Sequence, residues 1–143
     1  MKKSKTEKGM GKMGINLNRI GVLIRPTGRF ECIPIEPDAA GDLKADLRER
    51  LGGPISVVRT ADDYFFVYAT HAWEEGRTPN PGAEFYSFQP IWGDCIVLPK
   101  TKDAFSGFTF AEAYRTATLM GCRWASYEDH MEHMRERGGR YVR

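Results

Sequence analysis

The sequence has few of the features that mark disulfide-rich, secreted or membrane-spanning chains. Of its 143 residues only three are cysteines, Cys32, Cys95 and Cys122, and no Cys-x-x-Cys pair occurs. Such an odd, widely spaced set argues against a disulfide framework and against a structural zinc site. No apolar run approaches the roughly 18 residues that span a bilayer, and the lysine-rich start lacks the apolar core of a secretory signal. We therefore expect a reduced cytosolic protein with no membrane partner.

A net charge of +2 hides an uneven distribution along the chain. Residues 1–19 hold six basic side chains against one acidic (+5), residues 20–122 hold ten against fourteen (−4), and residues 123–143 hold five against four (+1). The hydrophobic fraction of 41% fits one soluble domain. The distribution predicts a basic flexible arm (1–19), a single α+β domain (20–122) and a charged helical C-terminal tail (123–143).

Apolar patterning predicts strands that cluster in hairpins instead of alternating with helices. Leu43, Leu47 and Leu51 recur every four residues, which indicates a helix that Gly52 and Gly53 end. The other predicted elements are strands at 21–24, 30–35, 55–59 and 64–68, further strand material after the loop at 85–88 and 91–98, a helix from Thr109 to Gly121, and a helix from Ser126 to Gly138. This pattern predicts a mainly antiparallel sheet with about three helices packed on one face, in the order β-β-α-β-β-β-α-α.

The stretch from residue 73 to residue 94 concentrates aromatic and hydrogen-bonding side chains around a Pro/Gly-rich loop. Loops carried by a sheet often bind ligands, and Trp, Tyr and Arg dominate the energetics of interfaces and base stacking. A nucleotide-binding form of this site would use arginine and asparagine on phosphate and base, with a tyrosine or tryptophan stacking. The alternative is that the aromatic residues form core beneath a long loop. The candidate binding residues are Trp73, Arg77, Asn80, Tyr86, Trp92 and Asp94.

The basic arm indicates a second kind of binding, to nucleic acid. Clustered lysines neutralise phosphates and release counterions. The alternative is a solvated tail that only aids solubility, and the absence of interleaved aromatic residues favours it. The candidate nucleic-acid-binding residues are Lys2, Lys3, Lys5, Lys8 and Lys12.

Patterns that would indicate an enzyme, a metal or a cofactor are incomplete. Residues 9–14 match G-x-G-x-x-G, but no strand precedes them, so a dinucleotide site is not expected. Cys95 with His71 lacks an identifiable orienting group for nucleophilic catalysis. His130 and His133 share a helix face but lack further ligands at a known zinc spacing. We predict no catalytic residues, no metal and no cofactor.

Residues 20–120 resemble a small domain family of unknown function, family 3846, found in bacteriophages, plasmids and other mobile elements. The resemblance rests on Gly52-Gly53 after the first helix, Pro79-Asn80 in the loop, and Ile91-Trp92-Gly93 before an apolar strand. It implies a mobile-element protein acting inside a bacterial cell, and it supplies no catalytic residues.

These observations lead to one expected function and two alternatives. We expect a small non-catalytic binding or regulatory protein that occupies a host protein, for example one of a defence system, or that protein's nucleotide signal. The first alternative is a nucleic-acid-binding accessory protein that uses the lysine arm. The second is an enzyme with a Cys/His site.

Deleting residues 1–12 tests the nucleic-acid alternative. If the arm binds phosphates, the deletion should flatten the dependence of log affinity on log salt concentration by about one unit for each lysine that neutralises a phosphate in the native chain. Fluorescence anisotropy with a labelled duplex at several salt concentrations measures this slope. An unchanged slope would contradict the alternative.

Overall fold

The computed structural model describes residues 19–60, 63–102 and 105–136, so the five arm lysines lie outside the described residues. The elements are β1 (Ile20–Ile24), β2 (Phe30–Pro34), α1 (Lys44–Leu51), β3 (Ile55–Arg59), β4 (Tyr64–Ala69), α2 (Pro81–Ser87), β5 (Cys95–Pro99) and α3 (Phe110–Glu136). These five strands form one sheet in the order β2-β1-β5-β4-β3, and each neighbouring pair is antiparallel. The predicted α+β class, with an antiparallel sheet and three helices, is confirmed.

Helices cover both faces of the sheet, not one face as predicted. The three leucines of the first helical stripe pack on one face, here called the α1 side, against Phe65, Val67 and Ile96. On the opposite face, the α3 side, helix α3 packs against strand residues that include Val22 and Val97. Because β1 and β5 lie in the middle of the sheet, nearly all of their residues are buried.

The strand predicted at residues 85–88 is wrong, because these residues belong to helix α2 and its C-cap. Asn80 caps the helix, since its side chain accepts a hydrogen bond from the backbone N–H of Ala83. Pro81 follows at the first helical position, where its missing N–H costs nothing. Two local signals at the start of the segment therefore override the strand propensity of its aromatic residues.

The two helices predicted after residue 109 are one continuous helix, α3. Thr109 and Glu112 form a reciprocal capping box at its start, as the cap prediction required. Gly121 does not end the helix; it lies against the Phe30 ring of β2. The boundary predicted between residues 122 and 123 therefore falls inside a helix.

The C-terminal part of α3 extends beyond the sheet. Buried residues recur along the helix at Ala113, Ala117, Met120 and Trp124. From residue 125 to residue 136 no residue of α3 is buried, and we call this segment the α3 extension. Within the part of the chain that the structure describes, no helix combines the length and apolar character needed to cross a membrane.

Two glycines, Gly107 just before α3 and Gly121 within it, should change stability in opposite directions when replaced by alanine. A Cβ at Gly107 would lie 2.4 Å from the Arg19 Cα, so Gly107→Ala forces two backbone segments apart and should cost about 1–3 kcal/mol. A Cβ at Gly121 would meet Phe30 at 3.6 Å, an ordinary contact, so Gly121→Ala should stabilise the helix by about 0.5–1 kcal/mol. Urea denaturation measures both free energies of unfolding. A loss of stability in Gly121→Ala would contradict this account of α3.

Candidate functional site

The six binding residues predicted from the sequence do not form one site. Trp92 packs against the core on the α1 side of the sheet, whereas Tyr86 packs against the core on the α3 side. A nucleotide gripped by both rings would therefore have to reach both faces of the sheet. The structure brings together only Trp73, Arg77 and Trp92, at one end of the α1 side.

Trp73 and Trp92 form a tilted pair with ring centroids 6.2 Å apart. Trp92 is half-buried and belongs to a short bridge in which residues 78–80 pair with residues 91–93. Trp73 is 66% exposed. The sequence left open whether these aromatic residues form core or a binding surface. Trp92 belongs to the core, whereas Trp73 presents an exposed ring face.

Arg77 stabilises the end of helix α1. Its guanidinium donates to the backbone carbonyl oxygens of Leu51 and Gly52. Carbonyl oxygens at a helix end have no partner within the helix, so the arginine supplies one. It also forms an ion pair with Glu75 at 2.6 Å. These partners occupy the guanidinium that was predicted to bind a phosphate.

Asn80 is an internal structural residue. Its side chain is 1% exposed, and its Nδ2 donates to the carbonyl oxygens of Ile24 (2.9 Å) and Gly93 (2.8 Å). Its Oδ1 accepts from the N–H of Ala83 at 3.1 Å. Both donors and the acceptor are therefore used inside the fold, and none faces a ligand.

Asp94 lies beside the turn between β1 and β2. Its Oδ2 is 3.9 Å from the Arg25 guanidinium, which bonds more closely to Glu31 at 3.1 Å. The side-chain hydrogen bond with Glu31 raises the pKa of Arg25. Asp94 is thus the weaker partner in a turn-stabilising charge group.

Tyr86 is half-buried between α2 and α3. Its hydroxyl donates to the carbonyl oxygen of Met120 at 2.6 Å, and its ring packs edge-on against Phe30. Burial raises the pKa of Tyr86 to about 12. The hydroxyl therefore stays protonated at neutral pH and remains committed to the helix backbone.

Sequence reasoning missed a contiguous aromatic surface at the junction of α2 and α3. Its members are Phe85, Phe88, Trp124 and Tyr127, and we call it the α2–α3 aromatic surface. The Phe85 ring centroid lies 4.7 Å from that of Tyr127 and 5.4 Å from that of Trp124. A groove of about 470 Å³ is lined by these four residues with Pro81 and Glu84. Phe85 and Phe88 are three residues apart, and so are Trp124 and Tyr127. This spacing would have indicated an aromatic face on each helix if residues 81–87 had been predicted as a helix.

Phe88 is the most unusual member of this surface. It is 86% exposed, and its backbone has a left-handed conformation with φ 60°. That conformation suits glycine or asparagine at a helix end and costs about 1 kcal/mol or more for a bulky side chain. The fold therefore carries backbone strain at a position where the ring contributes little to the core.

The residues considered for catalysis and metal binding lie apart from these surfaces. Cys95 is fully buried in β5, and burial raises the pKa of its thiol. His71 is exposed beside Glu74, and the histidines at positions 130 and 133 lie on the α3 extension. Among the described residues, no group of three or more His, Cys, Asp or Glu side chains is placed to hold a metal ion.

No family model, no curated protein and no solved structure matches the chain. The resemblance to family 3846 therefore stays a prediction. The surfaces of the molecule itself are the basis for proposing a function.

Replacing Asn80 should cost more stability than replacing an exposed helix cap. Asn80→Ala removes the α2 cap and both buried donors, so we expect a loss of about 2–4 kcal/mol in the free energy of unfolding. Thr109→Ala, the matched control, removes only the exposed cap of α3 and should cost about 1 kcal/mol. Urea denaturation of both variants gives the comparison. Equal losses would mean that the amide bonds to the carbonyls of Ile24 and Gly93 contribute nothing.

Proposed function

We propose that this protein is a small non-catalytic binding protein that engages a partner protein through the α2–α3 aromatic surface. The observation that carries the proposal is the exposed Phe88 ring, held in a strained backbone conformation next to three other aromatic residues. A strained, exposed phenylalanine lowers the stability of the free protein, and such strain is concentrated at positions that serve a function. Binding to another molecule is the function that an exposed ring can perform.

The composition of the surface suits a protein partner. Aromatic side chains are enriched at the centres of interfaces and supply most of their binding energy. Trp124 forms a buried floor, while Tyr127 and Phe88 remain accessible above it. The surface therefore has the arrangement of an anchoring pocket with accessible rings around it.

Charges around the surface favour a basic partner. The α3 extension carries four carboxylates and one arginine, and that arginine, Arg135, is paired with Glu132. Glu84, Glu128 and Asp129 have no ion-pair partner within the described residues. We therefore assign to the partner a segment with apolar anchors flanked by lysine or arginine. A second copy of the α3 extension would bring like charges together.

The resemblance to family 3846 supplies the setting for this proposal. In a mobile element, the partner would be a protein of the bacterial host, and binding would occupy a surface that the host protein needs. The location in the bacterial cytoplasm belongs to the same proposal.

Replacing Phe88 with glycine should separate binding from stability. Phe88→Gly relieves the left-handed strain, so the free energy of unfolding should stay constant or rise by about 1 kcal/mol, while partner capture should fall at least about tenfold. Tagged full-length protein is treated with a carbodiimide in bacterial extract, which links carboxylates directly to partner lysines. Mass spectrometry then identifies the captured protein and the linked peptides.

Trp73→Ala is the matched control because it removes another exposed aromatic ring, from the α1 side of the sheet. We expect this variant to capture the same partner as the native chain, with links from Glu84, Glu128 or Asp129 to a lysine-rich segment. Loss of capture in Trp73→Ala but not in Phe88→Gly would reject the α2–α3 aromatic surface and favour the Trp73–Trp92 pair.

A further inference from the structure

A cavity of about 230 Å³ lies on the α3 side of the sheet, between α3 and strand β4. It is separate from the α2–α3 aromatic surface, because the two share no lining residue. The α3 wall of the cavity is formed by Arg115, Leu119 and Arg123, with Thr116 and Met120 beneath them. The opposite wall is aromatic and consists of Tyr64, Phe66 and Tyr86.

The two arginines follow from the spacing of the helix. Residues 115, 119 and 123 recur every four positions, so they share one face of α3, and the two arginine Cα atoms are about 12 Å apart. Their side chains are long enough to converge over the leucine between them. Positive charge is thereby concentrated at both ends of one small cavity.

Neither arginine has a carboxylate partner among the described residues. Five other described arginines do have one, at positions 25, 29, 50, 77 and 135. Arg123 and Tyr86 line the same cavity, and the charge of Arg123 opposes the rise in the pKa of the Tyr86 hydroxyl. Arg115 and Arg123 are therefore available cations beside a partly enclosed space.

The aromatic wall is held in place before any ligand arrives. The Tyr64 ring packs edge-on against Phe66 and against Phe108, with centroids 6.4 and 6.1 Å away. Tyr86 is fixed by its hydrogen bond to the Met120 carbonyl. Because that bond uses the hydroxyl proton, Tyr86 offers the cavity a ring face and no donor. The cavity thus supplies ring contacts and arginine charges, beside the hydroxyl groups of Tyr64 and Thr116.

We propose that this cavity binds a small anion carried on an aromatic ring, such as an aryl phosphate or aryl carboxylate. The ring lies between Tyr64 and Tyr86 beneath Leu119, and the anionic group accepts hydrogen bonds from Arg115 and Arg123. The cavity is smaller than the roughly 300–1,000 Å³ typical of pockets for larger ligands. It therefore suits a single ring and not a dinucleotide.

The test is a titration of the full-length protein with phenyl phosphate, followed through the methyl NMR signals of Leu119 and Met120. We expect saturable shifts of these signals, and affinity at least about tenfold higher than for phenol or inorganic phosphate, which each lack one half of the ligand. The double variant Arg115→Gln/Arg123→Gln should lose at least about tenfold in affinity. Arg48→Gln, an exposed arginine on α1, is the matched control and should bind like the native chain.

A second variant keeps the proposal testable if the double variant does not fold. Leu119→Trp fills the cavity from a half-exposed position while both arginines remain, so it should abolish the saturable shift of the remaining Met120 methyl signal. Three results would overturn the proposal: no saturable shift with phenyl phosphate, equal affinity for inorganic phosphate, or unchanged binding in Leu119→Trp. The last two would indicate a surface charge effect without a cavity.

Discussion

The buried amide of Asn80 is the interaction on which the arrangement of both binding surfaces depends. One side chain bonds to the end of the central strand β1, to the returning loop at Gly93, and to the first turn of α2. A buried amide is costly unless all of its groups are satisfied, and here they are. The geometry that satisfies them also fixes where α2 begins. The positions of Phe85, Tyr86 and Phe88 follow from that starting point.

Much of the fold was predictable from local patterns. The leucine stripe of α1, its glycine stop and the two hairpins depend on spacing and turn chemistry, which are local properties. The sheet class followed because strands joined by short turns pair antiparallel. What could not be predicted was the pairing of β1 with β5, since those strands are separated by about seventy residues.

Two of the wrong predictions, those for Gly121 and Asn80, share a physical origin in non-local packing. A helix end is expected at Gly121 because glycine weakens a helix, but in the fold this residue gives the Phe30 ring room to lie close to α3. A ligand-binding role is expected for Asn80 because exposed asparagines often bind ligands, yet its side chain is used inside the fold, by Ala83 nearby and by the carbonyl groups of Gly93 and the distant Ile24. In both cases the residue type carries little information until its neighbours are known.

The two surfaces also differ in how much the sequence revealed. The aromatic character of residues 85–88 was visible, but the contribution of Trp124 and Tyr127 depended on recognising α3 as one helix. The cavity depends on Arg115 and Arg123, which in the sequence look like ordinary solvated charges on a helix. Their position on the wall of the cavity, without a carboxylate partner among the described residues, distinguishes them from the arginines that form ion pairs.

Helix α2 has a mechanical consequence that follows from its shortness. Its seven residues place Phe85 on the aromatic surface and the next residue, Tyr86, on the wall of the cavity. A rigid-body displacement of these two turns would move both rings together. Occupancy of the groove and occupancy of the cavity would therefore be thermodynamically linked, and the coupling free energy would be the same whichever site is filled first.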